Sequence, residues 1–150
     1  MKKILRWVLP GVLVLLLDRG TKLWLDGVDS PLIPGIIKLT PAHNTGMALG
    51  LFQGNALGIL AFSAVLILAA VFLARDMSIS GLAPIALSMI AGGALGNMID
   101  RAAYGYVIDM FDFQFMRFYI FNAADAGVVI GAVLCGISLL FRPRDWRKKK

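Results

Sequence analysis

The 150-residue sequence predicts a membrane-embedded all-α fold, a bundle of four transmembrane helices with a small extracytoplasmic β-cradle. Three observations lead there. The chain is 59% hydrophobic and only 16% charged, with a mean hydropathy of +0.78, less charge than a soluble domain carries. Its apolar residues fall in long blocks, and a bilayer-crossing helix needs about 20 mostly apolar residues. Between the blocks lie two longer polar segments with strand-like features. The length suits one domain spanning residues 1–150.

The first span is expected at residues 4–25, interrupted by the polar patch Asp18 to Lys22. Lys2, Lys3 and Arg6 ahead of an apolar stretch resemble a secretory signal. Asp18 and Arg19 stand where a small-x-small cleavage site would follow, so this segment reads as a retained helix. The second span, 56–74, has no charged residue. The third, 82–99, carries Pro84 at its start and glycines near its end. The fourth, 123–141, is uncharged apart from Asp125. Four spans put both termini on one side. That side collects Lys2, Lys3, Arg6, Arg75, Arg142, Arg144, Arg147 and the terminal lysines, ten basic residues against five on the other. By the positive-inside rule the termini are cytoplasmic, and the loops near residues 26–54 and 100–122 face outward. The basic tail is topogenic on this reading. Nucleic-acid binding would need a basic patch with base-reading residues on a soluble module, and none is present.

The outer loops supply the cradle. Ile36 to Thr40 reads as extended after the Pro31 and Pro34 breaks. Phe111, Phe113 and Phe115 alternate with Asp112, Gln114 and Met116, the period of a strand with one apolar face. The loop from Arg75 to Gly81 reads as a simple turn. Gly92 and Gly96, and Gly127 and Gly131, have the four-residue spacing that lets helices approach closely. Packing is their expected role.

All nine acidic residues are Asp, and several fall at span ends, where polar groups are costly and tend to serve function. Asp18 and Lys22 share a helix face at i,i+4 and suit a local ion pair. Asn97, Asp100 and Arg101 close the third span, with Asp100 and Arg101 expected as a structural pair. Asn122 and Asp125 have the spacing of a helix N-cap with an acid in the first turn. Asp109 stands in the apolar run Tyr106 to Met110, with no basic residue within four positions. Such a carboxyl is expensive unless something shares its proton. A nearby Asp125 would meet that need, because two close carboxylates do not ionise together easily. One would then serve as base toward water and the other as acid. No cofactor or metal is implied. His43 is the only histidine, which excludes a HExxH zinc site and leaves a Ser-His-Asp triad one candidate in what reads as a polar turn. Cys135 lies mid-span with no activating base.

These residues assemble into recognisable blocks. Gly92 to Arg101 followed by Gly105 to Asp109 resembles the third-helix signature of lipoprotein signal peptidases (signal peptidase II). Phe121 to Asp125 is similar to the family's final motif, Asn44 to Gly50 to its outer-loop motif, and Asp18 with Thr21 and Lys22 to its first-helix motif. Leu49 stands where the family often has Phe, and Ala126 where Ser is common. The resemblance implies that Asp109 and Asp125 form a catalytic aspartate dyad, with Asp18, Lys22, Asn44, Gly46, Asn97, Asp100, Arg101 and Asn122 supporting the site or binding substrate. It implies a bacterial inner-membrane enzyme, monomeric, with its site near the outer face. Its substrates would be prolipoproteins, cleaved before a diacylglyceryl-modified cysteine, and membrane lipid would be its other partner. The alternative is a proton- or ion-coupled carrier, since intramembrane aspartates also relay protons. A carrier would more often place acids at mid-membrane and show internal repeats. A third reading, a structural subunit, leaves Asp109 unexplained.

Overall fold

The computed structural model describes residues 2–46, 52–116 and 118–149. Four helices emerge, α1 (Lys2–Leu25), α2 (Ala56–Ala74), α3 (Ala83–Tyr104) and α4 (Ala123–Phe141). A three-stranded antiparallel sheet has the order β1 (Ser30–Ile33), β2 (Ile37–Asn44), β4 (Val107–Phe113). A second, two-stranded sheet pairs β3 (Met77–Ile79) with β5 (Trp146–Lys148). The larger sheet grows from the C-terminal ends of α1 and α3, the smaller from those of α2 and α4. The two sheets therefore cap opposite ends of the bundle.

α3 is the central helix and packs on α1, α4 and α2. Its glycines make this possible. A Cβ on Gly92 would collide with the Gly11 carbonyl of α1, and one on Gly93 with the Ala124 carbonyl of α4. On Gly131 it would lie 2.8 Å from the Ala86 carbonyl oxygen. Close packing of this kind gains dispersion energy that does not depend on a hydrophobic driving force. The outward faces are apolar: Leu16, Leu57, Leu68 and Leu140 are each more than 60% exposed. So large an apolar surface needs a cover. Among the described residues, α4 alone is long and apolar enough to cross a membrane by itself, and Ala56–Phe72 is a shorter apolar helix. α1 and α3 are less apolar because they carry Asp18, Arg19, Lys22, Asp100 and Arg101, and these are buried or half-buried.

Several expectations change in detail. The third helix runs on to Tyr104, so Asn97, Asp100 and Arg101 lie inside it. Gly105 then ends it in the left-handed region (φ 81°), where an L side chain would be strained, and the chain turns into β4. β4 begins at Val107, earlier than the aromatic alternation suggested, and Phe115 lies beyond it. His43 belongs to β2 and stacks on Tyr106 with centroids 4.2 Å apart, so it is in a strand and not a polar turn. The Arg75–Gly81 loop is not a simple turn either. It contributes β3, and the basic tail supplies the strand that pairs with it. Asp145 locks that end: its carboxylate accepts from the Leu82 N–H at 2.9 Å and the Ser138 hydroxyl at 3.1 Å. Leu49 and most of the Asn44–Gly50 block lie outside the described residues.

Candidate active site

The polar residues of α1, α3, β4 and α4 converge where the three-stranded sheet meets the bundle. α4 starts with a capping box. The Asn122 side-chain oxygen accepts from the Asp125 N–H at 2.8 Å, and the Asp125 carboxylate accepts from the Asn122 N–H at 3.3 Å. This uses the oxygen of the Asn122 amide and frees its nitrogen. That nitrogen donates to Asp109 Oδ1 at 2.6 Å and to Asn97 Oδ1 at 3.0 Å. Asn97 in turn donates to Asp125 Oδ1 at 2.7 Å. The other Asp109 oxygen accepts from the Asn44 side chain at 3.1 Å, and Asn44 is held by the Gly46 N–H at 3.0 Å. The two carboxyls thus share one hydrogen-bonded cluster, both touching Asn122.

Asp109 sits on β4 opposite Ala42 of β2 and is 2% exposed. Burial, and then the negative charge of Asp125, push its carboxyl up to about 7, against the pull of the Asn44 and Asn122 donors. No arginine or lysine forms a salt bridge with it among the described residues. Among the described residues Asp125 likewise has amide and backbone partners alone.

Beneath them lies a lattice of four charges. Asp18 pairs with Arg19 at 2.6 Å and Lys22 at 2.9 Å, and Asp100 with the same two cations at 2.7 Å each. The expected i,i+4 pair of Asp18 and Lys22 is present. The expected Asp100–Arg101 pair is not, because consecutive residues on a helix point about 100° apart. Arg101 instead donates to the Gly46 carbonyl at 2.6 Å, joining α3 to the end of β2. Arg19 was absent from the sequence-predicted site. Its signal was a count of charges: two buried acids, Asp18 and Asp100, need a second cation beside Lys22.

The lattice positions both elements that carry the isolated acids. Asp18 accepts from the Ala124 N–H at 3.1 Å, satisfying a free amide in the first turn of α4. Gly96 leaves it room, since a Cβ there would lie 2.6 Å from Asp18 Oδ2. Asp100 accepts from the Ile108 N–H at 3.2 Å, next to Asp109. All ten sequence-predicted site residues are therefore brought together.

The family model for signal peptidase II matches residues 11–141. The chain belongs to the signal peptidase II family. This family member is 39% identical over 145 residues to the lipoprotein signal peptidase of Fusobacterium nucleatum subsp. nucleatum, covering 92% of this chain and 88% of that relative. It is 40% identical over 154 residues to the lipoprotein signal peptidase of Rhodopseudomonas palustris, covering 91% and 93%. Its fold matches a solved bacterial membrane enzyme with a TM-score of 0.81 at 30% identity, over 95% of this chain and 92% of the other. As a signal peptidase II family member the chain is a peptidase and a membrane protein. The carrier alternative finds no support in these matches.

Proposed function

We propose that this protein is an aspartic endopeptidase of the bacterial inner membrane that removes signal peptides from prolipoproteins, cutting before the diacylglyceryl-modified cysteine. The observation that carries the reading is the Asn122 side chain, whose amide and capping contacts join Asp109 and Asp125 in one cluster with no salt-bridging cation among the described residues. Two carboxyls so placed hold one proton between them and can act as acid and base on a peptide bond. Asp18, Arg19, Lys22, Asn44, Gly46, Asn97, Asp100, Arg101 and Asn122 hold them there.

An apolar hollow of about 500 Å³ supports a lipid-modified substrate. Phe111 and Phe113 line it from β4, Phe121 from the segment bridged to Phe111, and Ala126, Val129 and Ile130 from α4. Asn122 is part of its wall, so the hollow adjoins the carboxyl cluster. An acyl chain on the cysteine next to the scissile bond would find apolar walls there. All four helices cross the membrane on this reading, as one domain and one monomer. The termini are cytoplasmic, and the three-stranded sheet lies at the outer surface. The apolar outer faces of the helices and the ten basic residues at the terminal end support that arrangement.

The test is cleavage of a diacylglyceryl-modified precursor peptide by purified protein. Asp109→Asn and Asp125→Asn each lower turnover by at least about a thousandfold while the protein stays folded, and EDTA has no effect. Full activity in either variant removes the mechanism.

A further inference from the structure

Lys22 has three N–H donors and no acceptor. Three oxygens surround it: Asp18 at 2.9 Å, Asp100 at 2.7 Å and Asn97 Oδ1 at 3.2 Å. The ammonium therefore compels Asn97 to present its oxygen, which leaves the Asn97 nitrogen facing Asp125. The second Asn97 lone pair is filled by the Asn122 nitrogen, whose direction is set independently by the α4 capping box. No flip of either amide keeps these contacts. On the other flank the Gly46 N–H fixes Asn44, and its nitrogen faces Asp109.

The two carboxyls are consequently not equivalent. Asp125 accepts from an amide that touches a lysine ammonium. It also accepts from the backbone N–H of the N-cap Asn122, and it lies in the first turn of α4, where the helix dipole favours negative charge. Asp109 lies on a strand and, among the described residues, accepts from the neutral amides of Asn44 and Asn122 alone. We propose that Asn97, clamped by Lys22, is the positioning residue that makes Asp125 the ionised base and leaves the working proton on Asp109. This inference rests on the peptidase reading above and assigns roles within it.

The charges around the pair are consistent with that assignment. Lys22 and Asp18 from α1 act on Asp125, with Asp18 held in its lattice of Arg19 and Lys22. Lys22 and Asp125 act on Asp109, and Arg101 from α3 acts on both. Asp100 is matched by Arg19 and Lys22. The step balances as follows. Asp125 takes a proton from water as the water oxygen bonds to the scissile carbonyl carbon, and Asp109 gives its proton to the carbonyl oxygen. In the resulting gem-diol, the C–N bond breaks as the nitrogen takes the proton from Asp125. One diol hydroxyl returns its proton to Asp109 and the carbonyl re-forms.

The assignment is tested by the pH profile of kcat/KM on the same lipopeptide, whose limbs report the pair in the free enzyme. Asn97→Ala removes a donor from the base, so the acidic limb moves up by about one pH unit and the alkaline limb stays. Asn44→Ala removes a donor from the acid, so the alkaline limb moves up by about the same amount and the acidic limb stays. Asn44 is exposed at a strand end, so its variant keeps the test alive if Asn97→Ala fails to fold. Movement of the opposite limb in the Asn44 variant, or of neither, overturns the assignment. These outcomes leave the peptidase reading intact, which fails only if Asp109→Asn or Asp125→Asn remains fully active.

Discussion

Asp109 is a carboxyl buried at 2% exposure without a salt-bridging cation among the described residues. A carboxyl pushed up to about 7 stays largely neutral in the folded protein between pH 3.8 and about 7, where an unfolded Asp is ionised. Two consequences follow. Activity that requires its proton falls as pH rises through about 7, so kcat/KM shows an alkaline limb near that value. Stability obeys the same linkage: the native state binds more protons than the unfolded state between the ordinary Asp value of 3.8 and about 7. The melting temperature therefore declines across that window, and Asp109→Asn declines less, by a few degrees, over pH 4 to 8. Differential scanning fluorimetry in detergent reads this directly. Equal slopes for parent and variant would mean that Asp109 is ordinary. His43, next to Asn44 on β2, stacks on Tyr106 and forms no hydrogen bond to either carboxyl among the described residues.

At the level of elements, the start of α4 is where local and distant interactions meet. Asn122 caps the helix, touches Asp109 and anchors Asn97. Asn122→Ala costs about 1 to 2 kcal/mol of stability through the cap and lowers kcat by at least about a hundredfold through the lost positioning. A variant with the stability loss alone would show that Asn122 is only a cap. Gly96 serves the same junction from α3, because the room it leaves is occupied by Asp18. Gly96→Ala forces Asp18 off the Ala124 N–H and costs about 1 to 3 kcal/mol by overpacking. Its activity loss exceeds that of Asp145→Ala at the other end. Asp145→Ala releases the Leu82 and Ser138 contacts and lowers the melting temperature, yet leaves both limbs of the pH profile in place. Thermal melts and pH profiles of the three variants together separate the two ends of the bundle.

For the whole molecule, the two sheets mark opposite ends, and the site belongs to the end with the larger one. Thiol labelling of intact cells checks the proposed orientation. In a Cys135→Ala background, Leu32→Cys in the exposed part of β1 reacts with an impermeant maleimide from outside. Lys149→Cys, beside the smaller sheet, reacts only after the cells are opened. The reverse pattern would put the site on the cytoplasmic side, where a translocated precursor could not reach it. Three of the four lattice charges, Asp18, Lys22 and Asp100, are buried, so salt screens the lattice weakly. Cleavage therefore changes little between about 0.05 and 0.5 M salt, as an ionic-strength series would show.

Much of this was readable from spacing alone. Apolar blocks gave four helices in order, Asn122 and Asp125 announced a capped helix start, and Asp18 and Lys22 announced a pair. These follow from the sequence because interactions within one helix depend only on separation along the chain. Phe111 and Phe113 likewise announced a strand through their period of two. What spacing could not decide was partnership across the bundle. Asp100 stands beside Arg101 in sequence yet binds Arg19 and Lys22, about 80 residues away. Asn44 reaches Asp109 across 65 positions, and Asp18 reaches the Ala124 amide across 106. The tail that reads as a simple basic run pairs with the α2–α3 connection. The chain alone determined which segments are apolar helices and which polar residues had to be sheltered. Only the packed structure decided which of those polar groups face one another, because that depends on how close α1, α3 and α4 approach, and the glycines between them set the distance.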